Sequence, residues 1–476
     1  MNRAGILTRH LLSVPLAGRA FLALCARLRT GGLRLQLPDG GWQVFGDAKA
    51  VTAELQLRDW RACTRILAAG DIGFAEAWRA GWVFSPDPTA LLRLALRNEA
   101  VTAPAVSGGW LQRLWFRLRH GRNANTRAGS RRNIHAHYDI GNAFYALWLD
   151  AGWTYSSALF GDDRQQSLES AQTAKYDRIV RELGLSAGDR VLEIGCGWGG
   201  FAEHAARLGI AVHGVTLSTE QLAFAQQRIA EQRLDPLVQL ELRDYRDLDG
   251  QYDAVVSIEM FEAVGERYWS TYFDTVRARL RAGGQALVQS ITIADDRFAQ
   301  YRSGSDFIQQ YIFPGGMLPS PSRFRAAAER AGLRVDDGFS FGPDYAETLR
   351  RWHAAFDARR PQRRVVHAQA VPAECPVPHH TRVGQLRHPR RRQRQRLRAG
   401  GHGREQRQVE REPASHPVPQ AVSRNCITST RPSSNPASQY AKYSCQVRRN
   451  TSSSPRRRTS SRRASKAACQ RRSVSA

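Results

Sequence analysis

The segment that most constrains this chain is Val191-Leu192-Glu193-Ile194-Gly195-Cys196-Gly197-Trp198-Gly199-Gly200, an apolar run passing straight into a glycine-dense turn. Glycines there permit positive φ and let the backbone approach a nucleotide-like ligand closely. A bare G-x-G occurs in every dinucleotide fold. Here, however, an acid stands two residues before the first glycine. A carboxylate so near a helix N-terminus repels a pyrophosphate and suits a cation, the methyl donor S-adenosylmethionine. A purely structural glycine turn is the competing reading.

From Asp189 onward, short β-rich runs alternate with helix-like text. RVLEIG, AVHGVTLS, VQLELRD, DAVVSIEM and QALVQSI read as strands, with VDDGFSFG as a sixth. Thr219–Glu231, Tyr268–Leu280 and Pro321–Ala331 read as helices between them. This alternation predicts an α/β fold, a doubly wound Rossmann-like sheet with helices on both faces. Such sheets bind ligands at the carboxyl ends of their strands. There the sequence offers Thr216, Glu220 and Gln221 for ribose hydroxyls, and Asp244-Tyr245, whose carboxylate suits an adenine amine. Each alone would pass as a turn or cap.

Upstream, LRLQLPDGGWQVFGD alternates around Pro38-Asp39-Gly40-Gly41 and predicts two strands and a turn. An amphipathic helix is expected around Phe21–Ala26, and broken helical text follows from Asp59 to Asn98. The expected organisation is an N-terminal α/β domain over 1–115 and a basic linker over 116–133. A methyltransferase domain follows over 134–358, with an insertion near 295–320, and then a tail over 359–476. A chain of 476 residues suits two or three domains.

The tail holds most of the charge. From Pro361 to Ala476 there are 26 Lys and Arg against 4 Asp and Glu, whereas the preceding 360 residues hold 44 against 39. Lacking Phe and Trp, and rich in Arg, Gln, Ser and Pro, the tail is expected to be disordered. Cys25, Cys63 and Cys196 in the body have neither disulfide nor zinc spacing, which favours a reducing compartment. No apolar run is long enough to span a bilayer. His135 and His137 lack a third ligand at suitable spacing, so no metal site is expected.

The blocks HYDIGNAFYALWL, YSSALF, VLEIGCGWGG, VTLSTEQ, RDYRDL, SIEMFEAVG, DFIQQYIFPGGMLPS and FGPDYAETL, in that order, resemble the cyclopropane-fatty-acyl-phospholipid synthases and the related mycolic acid cyclopropane synthases. The resemblance covers roughly residues 60 to 357, and GDIGFAEAWRAGW extends it into the N-terminal domain of the phospholipid enzymes. It implies transfer of a methyl or methylene from S-adenosylmethionine to the cis double bond of an unsaturated phospholipid acyl chain, through a carbocation. Aromatic faces would stabilise the cation, and a bound bicarbonate would serve as the base that lets the ring close.

Carried over residue by residue, the resemblance assigns the bicarbonate site to Glu262, Tyr345, Ser157, Gln289 and the backbone of Ile291. Ser157 stands where many members have Cys, and Gln289 where the best-known members have His, which leaves a methyl branch open as the product. The donor site would take Tyr155, Ser156, Glu193, Gly195, Gly197, Gly199, Thr216, Gln221, Asp244 and Tyr245. Glu259, one turn before Glu262 if that stretch is helical, is a second candidate carboxylate. Phe307, Tyr311, Ile312, Phe313 and Met317 read as core rather than as an acyl tunnel. The expected partners are phospholipid acyl chains at the membrane surface, with a homodimer open and no specific nucleic acid. The expected location is cytoplasmic, peripheral to the inner face of the membrane.

After Phe356 the resemblance stops. The Arg/Pro/Ser text suggests out-of-frame translation near residue 360, with a natural basic tail as the competing explanation. On the out-of-frame reading the closing antiparallel strand is missing, and the chain is poorly soluble or inactive. Two further functional readings stay open. One is a methyltransferase of the same fold acting on another lipid or small molecule, and the second is an inactive member serving only as a basic binding protein.

Overall fold

The structure, a computed structural model, describes residues 14–106, 125–138, 140–359 and 440–449, with the backbone alone for 103–106, 134–138, 337 and 440–449. All of them belong to one compact unit, residues 1–368 with 435–476.

The N-terminal part opens with the helix Leu16–Cys25, then β1 (Gly32–Gln36), β2 (Trp42–Gly46) and β3 (Val51–Leu57). The helix Arg61–Arg79 and the short β4 (Val83–Phe84) follow. Its sheet has the order β2-β1-β3-β4. The expected hairpin forms around the Pro-Asp-Gly-Gly turn, closed by Leu37 N–H donating to Gly41 O at 2.8 Å. Phe21, Leu35, Leu57, Cys63 and Ile66 fill the space between this sheet and its helices. Helix Arg61–Arg79 kinks at Gly70 (φ 61°, ψ −128°), a backbone shape that only glycine adopts easily.

The expected linker is helical at its end, over Arg127–Tyr138. Asn125 anchors that helix by donating to Gly315 O and accepting from Asn133 Nδ2, both at 2.8 Å. Such side-chain anchors have no periodicity, so the sequence pattern does not reveal them. His135 and His137 lie in this helix, and their side chains fall outside the described residues.

The larger sheet comprises β5 (Arg190–Ile194), β6 (Ala211–Thr216), β7 (Val238–Leu242), β8 (Tyr252–Ile258), β9 (Leu280–Ile293), β10 (Leu333–Ser340) and β11 (Tyr440–Arg449). Its order is β10-β11-β9-β8-β5-β6-β7. The five strands β7, β6, β5, β8 and β9 run parallel. One core, with Phe261, Tyr272, Phe273 and Phe324, fills one face, and a second, with Ile179, Phe201, Ala205 and Ile229, fills the other. Helices Thr219–Glu231, Trp269–Arg279 and Pro321–Arg330 agree with their expected spans to within a residue.

The closing strand is present, which corrects the expectation that the tail supplies none. β11 pairs antiparallel with β9 from Tyr440↔Ile293 to Arg448↔Gln285, and with β10 from Leu333↔Arg449 to Ser340↔Tyr443. YAKYSCQVRR alternates apolar and polar residues from Ala441 to Arg448, but it sits within Arg/Ser-rich text well past the last recognisable block, so the composition of the tail hid it. Its pairing satisfies the backbone groups that β9 and β10 would otherwise expose. The remainder of the expected tail, 360–439 and 450–476, lies outside the described residues.

Candidate active site

The carboxyl ends of β5, β6 and β8 meet at one crevice. At the end of β5 the chain turns through Gly195 (φ 89°), Gly197 (φ 53°) and Gly199 (φ 81°) into the helix Gly200–Arg207. A Cβ on Gly195 would lie 2.9 Å from Met260, and one on Gly199 3.1 Å from Ala225, so packing requires both glycines. A Cβ on Gly197 would meet nothing within 4 Å. That face of Gly197 is open and leaves room beside the backbone.

Beneath it, Glu193 is buried, and its Oε2 has no hydrogen-bond partner among the described residues. Burial raises its pKa to about 8, with Lys175 opposing the shift. An acid stored in this form suits a cationic ligand, whose arrival would favour the carboxylate. Lys175, which the motif reading missed, donates to Ser156 Oγ and to Gln172 Oε1, each at 2.6 Å. Gln172 in turn donates to Ser156 O at 2.9 Å, so the helix Leu168–Leu183 pins the Tyr155-Ser156-Ser157 segment. Only a lysine three residues after a glutamine on a helix marked this in the sequence, and that is no motif.

Thr216 and Gln221 are both buried, and the Thr216 hydroxyl donates to Gln221 Oε1 at 3.2 Å. Asp244 is also buried but is already paired. It accepts from Arg246 Nε at 2.8 Å, Arg246 N at 3.0 Å and Arg246 Nη2 at 2.6 Å. Burial alone would raise its pKa, yet these bonds hold it below the ordinary value. An adenine amine would therefore share Asp244 with Arg246. Tyr245 packs edge-on against Tyr272 at 5.6 Å. Tyr155 sits among Tyr145, Trp148 and Trp352, with ring centroids 5.3–5.6 Å away.

The remaining candidates converge on the ends of β8 and β9. Gln289 and Ile291 lie two apart on β9 and so share a face. The Glu262 carboxylate accepts from Ile291 N–H, and Glu262 O accepts from Met317 N–H at 2.8 Å. Glu259 corrects the helical expectation. It follows β8 in the left-handed region (φ 53°), before a short 3₁₀ turn at Phe261–Ala263. That conformation costs a residue with a side chain about 1–3 kcal/mol. Glu259 Oε1 accepts from Ser157 N–H at 2.8 Å and from Gln289 Nε2 at 2.7 Å. Burial first, then the Glu259 and Glu262 charges, push the Tyr345 hydroxyl pKa up, so Tyr345 stays protonated at neutral pH. Tyr345 lies in the first turn of the helix Gly342–Arg359, whose Asp344 and Thr348 accept backbone N–H groups from Phe160 (2.7 Å) and Ala158 (3.0 Å).

A bicarbonate does not fit these residues as they stand. Ser157 N–H and Gln289 Nε2 are given to Glu259, Ile291 N–H is given to Glu262, and the Ser157 hydroxyl donates to Ala158 O at 3.0 Å. A further anion would face two carboxylates with these four donors already engaged. In the insertion, Phe307 and Tyr311 pack on Ala69 and Ile72 and Met317 joins the main core, as expected, but Phe313 is exposed.

The model of the family described as mycolic acid cyclopropane synthetase matches residues 125–373, more than half of the chain. The chain is 40% identical over 335 residues to the tuberculostearic acid methyltransferase of Mycobacterium tuberculosis, covering 69% of this chain and 78% of that one. It is 35% identical over 319 residues to the cyclopropane-fatty-acyl-phospholipid synthase of Escherichia coli K12, covering 65% of this chain and 78% of that one. A crystal structure of a mycolic acid cyclopropane synthase complexed with SAH and CTAB superposes with a TM-score of 0.46 at 34% identity, covering 49% of this chain and 85% of that one.

Proposed function

The chain belongs to the mycolic acid cyclopropane synthetase family, and from that premise we propose that it transfers a methyl from S-adenosylmethionine to the cis double bond of an unsaturated phospholipid acyl chain. The observation that carries this reading is the meeting of two half-sites. The open face of Gly197 and buried Glu193 suit a cationic donor. Within the same crevice, Met260 touches the Gly195 turn, and on either side of Met260 stand the carboxylates of Glu259 and Glu262. S-adenosylmethionine supplies an electrophilic methyl; the chain's residues orient it, exclude water and remove a proton.

The donor would lie along Gly195–Gly199, with Thr216 and Gln221 at its ribose and Asp244-Tyr245 at its adenine. Tyr155, Tyr145, Trp148 and Trp352 offer aromatic faces beside the crevice, where a developing carbocation would be stabilised. Among the described residues no helix is long and apolar enough to cross a membrane. A phospholipid acyl chain is met at a membrane surface, so this substrate carries with it peripheral work at the inner membrane face. A second reading, formation of a methyl branch, is favoured by the 40% identity to a tuberculostearic acid methyltransferase. The two share methyl transfer to an alkene and differ in what becomes of the cation.

Expression in a bacterium lacking cyclopropane lipids, followed by analysis of its membrane fatty acids, separates them. Upfield ring-methylene protons support the first reading and branched chains the second, while an unchanged profile counts against both. In the same host Gly197→Leu should abolish the new lipid, and calorimetry should show the purified variant folded but unable to bind donor.

A further inference from the structure

We propose that Glu259 is the base of this site, its carboxylate standing where the family resemblance puts a bicarbonate. The inference rests on the alkene methylation proposed above and identifies the group that completes it. Three observations lead to it. Glu259 takes the hydrogen bonds of Ser157 N–H (2.8 Å) and Gln289 Nε2 (2.7 Å), two positions assigned to holding the anion. It does so from a left-handed backbone (φ 53°), which glycine would occupy without strain. A strained residue persists where its side chain is needed. Finally, its neighbour Met260 lies against Gly195 of the glycine turn, and the Glu259 and Glu262 charges both act on Tyr345, so Glu259 belongs to both halves of the site.

Gln289 fits this arrangement better than a histidine would. An amide offers a neutral donor to a fixed carboxylate and cannot itself take the proton. The chemistry balances without an added ion. The alkene π pair forms a bond to the donor's methyl carbon as the C–S bond breaks and leaves its electrons on sulfur. The adjacent alkene carbon becomes cationic. Glu259 then removes a proton from the added methyl, and the freed C–H pair closes the ring. The resulting carboxylic acid returns its proton to solvent.

The test compares the full chain with Glu259→Gln and Glu259→Gly in buffer stripped of carbon dioxide and in the same buffer with bicarbonate restored. The parent chain should turn over equally in both. Glu259→Gln, which keeps the shape and loses the base, should fall by about 10²-fold or more in both. Glu259→Gly relieves the backbone and vacates the anion seat, so it should be slow without bicarbonate and recover at least about tenfold with it. Carbon-13 bicarbonate resonances should broaden with Glu259→Gly and not with the parent. Parent turnover that stops without bicarbonate, full activity in Glu259→Gln, or bicarbonate binding by the parent would each overturn the proposal. If the parent methylates no lipid, the proposed function fails instead, and the bicarbonate spectra still decide whether Glu259 fills the anion seat.

Discussion

At the level of single residues, the buried acids dominate what can be tested. Glu193 has a folded-state pKa of about 8 against an ordinary 4.5, so between those values the folded chain holds a proton that the unfolded chain has lost. Its contribution to stability is therefore complete below about pH 4.5 and declines as pH rises through about 8. Chemical denaturation should find Glu193→Gln similar to the parent at the acidic end and more stable at the alkaline end; parallel pH curves would contradict this. Arg246 is the converse case. Its side chain is 9% exposed and its partner Asp244 1%, so Arg246→Ala strands a buried carboxylate and should destabilise the fold by about 3–5 kcal/mol. A loss below about 1 kcal/mol by urea titration would show the pair to be solvated. The glycine turn was legible because backbone geometry demands glycine there. Arg246 and Lys175 were not, because a charge announces its partner only when the fold brings the two together.

Among the elements, the informative case is β11. The other strands of the large sheet are short β-rich runs between helices, and the sequence displays them plainly. β11 alternates from Ala441 to Arg448 as a strand should, but its Arg/Ser-rich surroundings mask it, and its place in the sheet comes from pairing with β9 on one side and β10 on the other. Ser444, opposite Gln289 and Phe339, is central to both ladders. Ser444→Pro removes an N–H from an interior strand and should cost about 3 kcal/mol or more, with aggregation from the opened edges. Light scattering during thermal melting reads both effects, and an unchanged melt would mean that β11 adds nothing to the sheet. The same pairing overturns the expectation of an incomplete fold, for β9 carries Gln289 and Ile291 and β11 is what covers its outer edge.

Across the whole molecule, the N-terminal part is tied to the Glu262 turn through the insertion. Asp71 accepts from Phe307 N–H at 2.9 Å and Glu76 accepts from the Tyr311 hydroxyl at 2.7 Å, both from the kinked helix Arg61–Arg79. The insertion then runs to Met317, whose N–H bonds Glu262 O at 2.8 Å. Composition foretold two folded parts but not this strap, whose contacts join residues more than 200 positions apart. Whether this assembly methylates a lipid alkene and then removes a proton from the added carbon can be read from a donor whose methyl carries three deuterons. Incubated with unsaturated phospholipid vesicles, the purified chain should yield acyl chains that gain the carbon with two deuterons, the third having gone to the base. Lipid that gains no label would rule out alkene methylation, and lipid that keeps all three deuterons on the new carbon would rule out the proton removal.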